Sequence, residues 1–304
     1  MGIMGTKTYN VGILGATGIV GQRLIRRLEH HPWFRLQGLA ASERSSGKSY
    51  GEAVRWTLDG TVPAYAAGME VRPCSPDSMA GCDLVFSSLD AAVARDVEAA
   101  FSRAGVHVVS NSSAYRMDRS VPLVIPEVNA AHLGLLDAPR NGSGPGHIVT
   151  NPNCSVIGLA VALAPLHQAF GVEAVVVTTL QALSGAGLSG PSREEMDDNA
   201  LPMIRGEEEK IQEELPKILG SLEGAGPIDP APVQVAAHCN RIGTVDGHLE
   251  TVSVRLARKA TPEQAVEAFR GVRGQIDGLG LPSAPASPID VLDQPDRPQP
   301  KLDR

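Results

Sequence analysis

The sequence lacks the features that would assign the protein to several special classes. It has no run of apolar residues long enough to cross a bilayer, which takes about 18 or more, so we expect no transmembrane helix. Its first residues show no basic stretch followed by an apolar one, so we expect no secretory signal. Basic residues are not in excess, since the net charge is −7 at pH 7, which argues against nucleic-acid binding.

Cysteine is also scarce. The 4 cysteines have spacings that match no zinc pattern, so we expect no metal site. Because nothing indicates secretion, we expect reduced thiols and a cytoplasmic location. The remaining composition, 42% hydrophobic and 20% charged, is that of an ordinary globular protein. A chain of 304 residues has room for two domains of about 150 residues each.

The first half of the chain alternates predicted strands with predicted helices. The strands are expected at 10–14, 35–40, 83–88, 106–110 and 148–150, and the helices at 22–29 and 91–103. Such alternation is typical of a parallel sheet with helices on both faces. We therefore predict a Rossmann-like, doubly wound α/β domain over residues 1–150.

The second half has longer strands and fewer helices between them. Helices are expected at 156–170 and 207–219, and strands at 173–183, 233–239 and 248–257. A further helix should begin after Thr261, which is followed by Pro262 and Gln264 in the pattern of an N-cap, a first-turn proline and a capping box. This pattern predicts an α+β domain with a mixed sheet over residues 151–304.

A glycine-rich turn links the first predicted strand to the first helix. Gly15 and Gly18 would let the backbone approach a pyrophosphate, and the start of the helix would present free N–H groups to it. The spacing departs from strict G-x-G-x-x-G, and a glycine turn that binds nothing is the alternative. The candidate cofactor residues of this turn are Gly15, Ala16, Thr17, Gly18, Ile19 and Val20.

The loop after the second strand should choose between NAD and NADP. An acidic residue there would bind a ribose hydroxyl, whereas cationic and hydroxyl groups would bind a 2′-phosphate. Glu43 favours NAD, and a solvated loop without a ligand is the other alternative. We predict NADP, because four residues of this loop can donate to a phosphate: Ser42, Arg44, Ser45 and Lys48.

Cys154 is the candidate nucleophile. It follows a strand and opens an apolar helix, where the helix dipole and free N–H groups stabilise a thiolate. The alternative is a buried structural thiol, which is the more common fate of a free cysteine. His248 follows a glycine turn at the start of a strand and is the candidate base, whereas His238 in mid-strand is a weaker one.

Eight segments in order resemble one enzyme family, aspartate-semialdehyde dehydrogenase, and in particular its archaeal and fungal branch. They are GILGATGIVGQRL, ASERSSGK, SNSSAYRMD, IPEVNAAHL, NPNCSVIG, QALSGAG, RGEEEK and NRIGTVDGHLE. The resemblance runs from about residue 9 to about residue 300. It implies NADP-dependent, reversible conversion of L-aspartyl 4-phosphate to L-aspartate 4-semialdehyde through a cysteine thioester. This reaction would serve lysine, threonine and methionine biosynthesis, and the second domain would also form a homodimer or homotetramer.

The resemblance also implies roles for individual residues. Cys154 would attack the substrate carbonyl and His248 would act as a general base. Arg241 would bind the substrate carboxylate and Glu207 its ammonium group, although acidic residues also suit a solvated first turn. The remaining roles are phosphate binding by Lys210 and Arg116, substrate orientation by Asn153 and Gln181, and cofactor contact by Ser184, Gly185 and Gly187.

The chain departs from this family at its end. Family members run some tens of residues further, so we expect a chain truncated at the C-terminus, without the last strand and helix of the second domain. One alternative is a related enzyme that acts on malonyl-CoA, but a malonyl group has no ammonium for Glu207. The other is an inactive NADP-binding copy, against which Cys154, His248, Arg241 and Glu207 together argue.

Overall fold

The structure is a computed structural model that describes residues 7–137, 144–188, 190–224, 226–272 and 274–304. Residues 1–6, where a secretory signal would begin, lie outside this range. The described chain forms two compact units: residues 7–122 with 144–151, and residues 123–137 with those from 152 onward. The sequence suggested a single division near residue 150, whereas segment 123–137 groups with the second unit.

The first unit contains a parallel sheet of six strands. The strands are β1 (Tyr9–Leu14), β2 (Phe34–Ala40), β3 (Val71–Arg72), β4 (Leu84–Ser87), β5 (His107–Ser110) and β6 (Ile148–Thr150). Their order is β3-β2-β1-β4-β5-β6. Strands β2 and β3 are added on one side of β1 and strands β4 to β6 on the other, so the order of addition reverses at β1. This is the strand order of dinucleotide-binding folds, in which ligands bind at the carboxyl ends of the strands beside the reversal. The predicted doubly wound domain is confirmed.

The described residues of this unit form four α-helices: α1 (Ile19–Leu28), α2 (Tyr50–Ala53), α3 (Ala64–Ala67) and α4 (Ala91–Arg103). Helix α1 begins three residues before the predicted 22–29, because Gly18 already serves as its N-cap. The short elements α2, α3 and β3 were not predicted, since two to four residues are too few to show a periodic pattern. Val11, Ile13 and Ile25 are fully buried and join β1 to α1 in one core.

The second unit contains a mixed sheet, as predicted. Its strands are β7 (Val172–Gln181), β8 (Ala200–Leu201), β9 (Gln234–Ile242) and β10 (Leu249–Leu256). They lie in the order β10-β7-β9-β8, with β7 and β9 parallel and the other pairs antiparallel. Strand β9 extends three residues beyond the predicted 233–239, so Arg241 lies within the sheet. Strand β10 begins one residue after His248, which therefore ends the preceding loop.

The helices of this unit pack on the sheet, and two of them begin at candidate site residues, Cys154 and Glu207. They are α5 (Pro126–Asn129), α6 (Cys154–Phe170), α7 (Glu207–Ile218), α8 (Pro262–Arg270) and α9 (Pro300–Asp303). Apolar residues of α6 and α7, among them Leu159, Ile211 and Leu215, are buried against β7 and β9. Thr261 caps α8 through a capping box with Gln264, as predicted. No helix within the described ranges is long and apolar enough to span a membrane.

Candidate active site

Helix α6 begins at Cys154, two residues earlier than predicted, because Asn153 caps it. The Asn153 side-chain oxygen accepts the backbone N–H groups of Ser155 at 3.0 Å and Val156 at 3.4 Å. This cap satisfies two donors of the first helical turn and holds Cys154 at the first helical position. Cys154 is exposed whereas Cys82 and Cys239 are buried, so its sulfur is accessible to a substrate.

His248 lies against this sulfur. Its Nε2 is 3.1 Å from Cys154 Sγ, and its Nδ1 is 3.1 Å from the backbone nitrogen of Ala182. Because the Ala182 N–H donates, Nδ1 accepts, and we assign the remaining ring proton to Nε2, where it points at the sulfur. Burial and, secondly, the charge of Arg241 lower the pKa of His248, so the ring is neutral near pH 7.

The thiol is less acidic than its place at a helix start suggests. Although Cys154 is exposed at its surface, desolvation by the surrounding protein atoms and, secondly, the negative charge of Glu207 raise the pKa of its thiol above the ordinary value. The N–H groups of Cys154 and Ser155, together with Arg241, act in the opposite direction but are outweighed. The sequence argument considered only the helix dipole and missed the carboxylate, which tertiary structure brings to the thiol.

Glu207 is the centre of a hydrogen-bonded cluster beside the nucleophile. Its Oε1 is 2.7 Å from Lys210 Nζ, while its Oε2 accepts from Asn153 Nδ2 at 2.7 Å and Gln181 Nε2 at 3.4 Å. Burial alone would raise the pKa of Glu207, but these donors outweigh it and hold the pKa below its usual range. Glu207 is therefore a buried carboxylate, and the solvated-face alternative does not describe it.

Arg241 supplies the cationic counterpart. It is buried, and its Nη1 donates to the carbonyl oxygen of Ala182 at 2.6 Å. Gly185 lies directly beside both side chains, the neutral His248 ring and the Arg241 guanidinium: a β-carbon there would be 3.1 Å from His248 Nε2 and 3.2 Å from Arg241 Nη1. Within the second unit, the structure thus brings together seven of the predicted residues: Asn153, Cys154, Gln181, Glu207, Lys210, Arg241 and His248.

Two residues at this site escaped the sequence argument. Glu214 is buried, and its Oε2 accepts the backbone N–H of Asn153 at 2.6 Å. It lies seven residues after Glu207, two helical turns along the same face of α7, and this spacing was a usable signal. Ala182 contributes only backbone groups, for which the sequence carries no signal.

The loop after β7 is anchored to the loop before β10. Ser184 Oγ donates to Asp246 Oδ1 at 2.7 Å, and the backbone N–H groups of Leu183 and Ser184 donate to Thr244 and Val245. Gly187 has φ +70°, a conformation that other residues rarely adopt. The loop with Ser184, Gly185 and Gly187 is thereby held close to Cys154 and His248. Exposed His238 lies in β9 and takes no part in this cluster.

The glycine turn of the first unit fits a pyrophosphate. Gly15 has φ +77°, and a β-carbon there would lie 2.7 Å from the carbonyl oxygen of Ser88, so only glycine is accommodated. A β-carbon on Gly21 would collide with the carbonyl oxygen of Gly15. Helix α1 has no side-chain cap and no acidic residue in its first turn. Its N-terminal N–H groups can therefore bind an anion.

The other predicted residues of the first unit occupy consistent positions. Strands β1 and β2 are parallel neighbours, so the loop after β2 lies at the same sheet edge as the glycine turn. In this loop, Ser42, Arg44 and Lys48 are exposed and Ser45 is half-buried, which suits recognition of a phosphate. Arg116 is buried in this unit and donates from Nη2 to the carbonyl oxygen of Asn111 at 2.8 Å.

The first unit has a sheet of the dinucleotide-binding type, and the second unit places a cysteine sulfur against a histidine ring. Comparison with known families gives the class of protein. Residues 10–136 match the family described as "Semialdehyde dehydrogenase, NAD binding domain". Residues 163–304 match "Semialdehyde dehydrogenase, dimerisation domain". The class is therefore that of the semialdehyde dehydrogenases.

Individual relatives narrow the class. Proteins named aspartate-semialdehyde dehydrogenase from Archaeoglobus fulgidus and Cryptococcus neoformans are each 48% identical, covering 97% of this chain and 84% of their own. A crystal structure of aspartate-semialdehyde dehydrogenase with NADP from Candida albicans superposes with a TM-score of 0.89 at 41% identity, covering 98% of this chain and 86% of that one. The chain belongs to the aspartate-semialdehyde dehydrogenase family, as the sequence resemblance implied.

Proposed function

We propose that this enzyme reversibly converts L-aspartyl 4-phosphate to L-aspartate 4-semialdehyde with NADP and a covalent thioester on Cys154. The observation that carries this proposal is the 3.1 Å approach of His248 Nε2 to Cys154 Sγ. This pair lies in one cluster with a buried carboxylate, Glu207, and a buried guanidinium, Arg241. An amino-acid substrate needs both charges, one for its ammonium group and one for its carboxylate.

The thiolate of Cys154 begins the reaction in the biosynthetic direction. Its sulfur attacks the acyl carbon, a C–S bond forms, and phosphate leaves with the electrons of the C–O bond. The bound cofactor supplies a hydride to the thioester carbon. The resulting oxyanion then collapses, the electrons of the C–S bond return to sulfur, and the aldehyde leaves Cys154 as a thiolate.

His248 stabilises the oxyanion on both sides of the hydride step. A general base would need a free lone pair on Nε2, whereas the bond from Ala182 favours the tautomer with the proton on Nε2. In the proposed reaction His248 therefore donates a hydrogen bond to the substrate oxygen. Because the pKa of Cys154 is raised, its thiol must first lose a proton. Within the cycle that follows, the thiolate is consumed and regenerated, so no further proton is transferred at Nε2.

The surrounding side chains would bind the substrate. Arg241 pairs with the α-carboxylate, while Glu207 pairs with the ammonium group. Lys210, which bonds Glu207, would bind the phosphate group, the role that the family resemblance also implies for Arg116. Asn153 and Gln181 hold the Glu207 carboxylate through their amide groups and so orient the substrate beside the thiol.

The first unit would hold NADP. The glycine turn from Gly15 to Val20 binds the pyrophosphate, and the loop with Ser42, Arg44, Ser45 and Lys48 binds the 2′-phosphate. The family resemblance implies a cofactor-contacting role for the loop with Ser184, Gly185 and Gly187. The match to a dimerisation domain and the named relatives support a homodimer or homotetramer serving lysine, threonine and methionine biosynthesis.

The decisive experiment follows cofactor reduction at 340 nm when purified enzyme receives aspartate semialdehyde and phosphate, with NADP and NAD in parallel. We expect phosphate-dependent reduction with a preference for NADP. Cys154→Ala should abolish the reaction while NADP binding, measured by calorimetry, survives. Full activity of this variant would refute the nucleophile, and activity with malonyl-CoA alone would refute the substrate. Sedimentation of the same sample measures the oligomeric state.

A further inference from the structure

Two buried side chains hold the glycine turn of the first unit from behind. The hydroxyl of Tyr50, in α2, donates to the carbonyl oxygen of Ala16 at 3.0 Å. The side-chain amide of Gln22, in α1, donates to the carbonyl oxygen of Thr17 at 3.1 Å. Both residues are fully buried, so neither contact competes with solvent.

Gln22 is itself held in place. Its Nε2 also donates to the carbonyl oxygen of Arg55 at 3.1 Å. Its Oε1 accepts from the backbone nitrogen of Thr57 at 2.8 Å and from the Thr57 hydroxyl at 3.1 Å. Rotation of the amide would break several hydrogen bonds at once, so Gln22 is a rigid anchor for the turn.

Other groups of the turn are used internally. The N–H groups of Gly15 and Ala16 both donate to the carbonyl oxygen of Ala40, at 2.9 and 3.0 Å, and Gly18 N–H donates to Gly15 at 3.0 Å. Because a peptide unit is planar and trans, a carbonyl of Ala16 that faces Tyr50 makes the N–H of Thr17 point the opposite way. This N–H and the first N–H groups of α1, which have no partner within the helix, are left to face a ligand.

We propose that Tyr50 and Gln22 are positioning residues for the dinucleotide: by binding the carbonyl groups of the turn, they preset its N–H groups for the pyrophosphate. Without these anchors the peptide between Ala16 and Thr17 could rotate and turn a carbonyl oxygen toward the phosphates, where it would repel them. Binding would then have to order the turn first, which weakens affinity. This inference rests on the proposed binding of NADP.

A matched control separates positioning from simple stabilisation. The hydroxyl of Tyr65 donates to the carbonyl oxygen of Ile25, which lies in the same helix α1 but six residues beyond its first residue, at 2.5 Å. Tyr65→Phe therefore removes the same kind of bond, from a tyrosine hydroxyl to a backbone carbonyl, in the helix that follows the turn and leaves the turn itself untouched. Both Tyr→Phe variants should unfold at lower temperature, but only the one at the turn should affect the cofactor.

The experiment measures the Kd of NADPH by calorimetry, and the unfolding temperature, for the wild type, Tyr50→Phe, Tyr65→Phe and Gln22→Met. Loss of one such bond is expected to weaken NADPH binding about fivefold in Tyr50→Phe. Gln22→Met should weaken it more, and Tyr65→Phe should bind like the wild type. The alkylation rate of Cys154 should be unchanged in all variants, since the second unit is untouched.

Each outcome decides the matter. Equal affinity of Tyr50→Phe and the wild type would overturn the inference, as would equal losses in Tyr50→Phe and Tyr65→Phe. Tyr50→Phe loses a single oxygen atom, so the comparison stands even if Gln22→Met does not fold. If the wild type itself fails to bind NADPH, the proposed cofactor is wrong, which is distinguishable from a failure of positioning alone.

Discussion

Replacing Glu207 by glutamine isolates the effect of one charge on the nucleophile. The glutamine oxygen can still accept from Asn153, so the cap of helix α6 should persist. The negative charge, which raises the pKa of Cys154, is removed. We therefore expect Glu207→Gln to lower the pKa of the thiol, although the same change removes the proposed partner of the substrate ammonium group.

The size of this shift follows from the cluster around Glu207. A nearby charge typically moves a pKa by about one to three units. Lys210 Nζ, 2.7 Å from the carboxylate, already compensates part of the charge, so we expect a downward shift of the thiol pKa toward the lower end of this range. One unit corresponds to about 1.4 kcal/mol and, below the pKa, to about tenfold more thiolate.

The assay is alkylation of Cys154 by iodoacetamide as a function of pH, followed by peptide mass spectrometry to separate this cysteine from the other three. A thiolate of lower pKa is also a weaker nucleophile, which reduces the rate constant of the thiolate about threefold. The variant should therefore react about threefold faster than the wild type well below the pKa. It should react about threefold slower on the alkaline plateau.

The control is Glu209→Gln, which removes the same charge from an exposed position in the same helical turn. Its pH profile should coincide with that of the wild type. An unshifted profile for Glu207→Gln, or an equal shift in both variants, would refute the reasoning that Glu207 raises the pKa of the thiol.

Three further changes test other parts of the structure. Gly185→Ala would place a methyl group 3.1 Å from the His248 ring, so kcat should fall at least about tenfold while the free energy of unfolding in urea changes little. An unchanged kcat would contradict the close approach of Gly185 to His248. Burial raises the pKa of Glu250 to about 7 from 4.5, so ionisation of this carboxyl group destabilises the fold as the pH rises. The free energy of unfolding of Glu250→Gln, measured in urea, should therefore rise by about 3 kcal/mol relative to the wild type between pH 4 and pH 8.5, and a difference that does not change with pH would refute the raised pKa. Gly158 is exposed inside α6, with open space where a β-carbon would lie, so Gly158→Ala should raise the free energy of unfolding by about 0.5 to 1 kcal/mol in the same assay. A lower free energy of unfolding would contradict the open space at this position.

Much of the candidate site could be predicted because its residues lie at strand-to-helix junctions or beside glycine turns, which can be recognised in the sequence. Cys154 stands at a strand-to-helix junction, and Gly15 and Gly18 stand at another. Arg241 and His248 flank a glycine turn between two strands. The boundaries were less accurate, because helices α1 and α6 begin at caps, Gly18 and Asn153, that precede the apolar pattern by which a helix is detected.

The amino-acid sequence alone indicated the long elements, the two fold classes, and the candidate nucleophile with its neighbouring histidine, since these depend on periodicity and on residue type at turns. Only the tertiary structure decided the acidity of Cys154, the tautomer of His248 and the anchors of the glycine turn. Each of these depends on a group distant in the chain: Glu207, the backbone of Ala182, and Tyr50. Electrostatic and hydrogen-bonding effects act through space at a few ångströms, so they become defined only when folding brings such groups together.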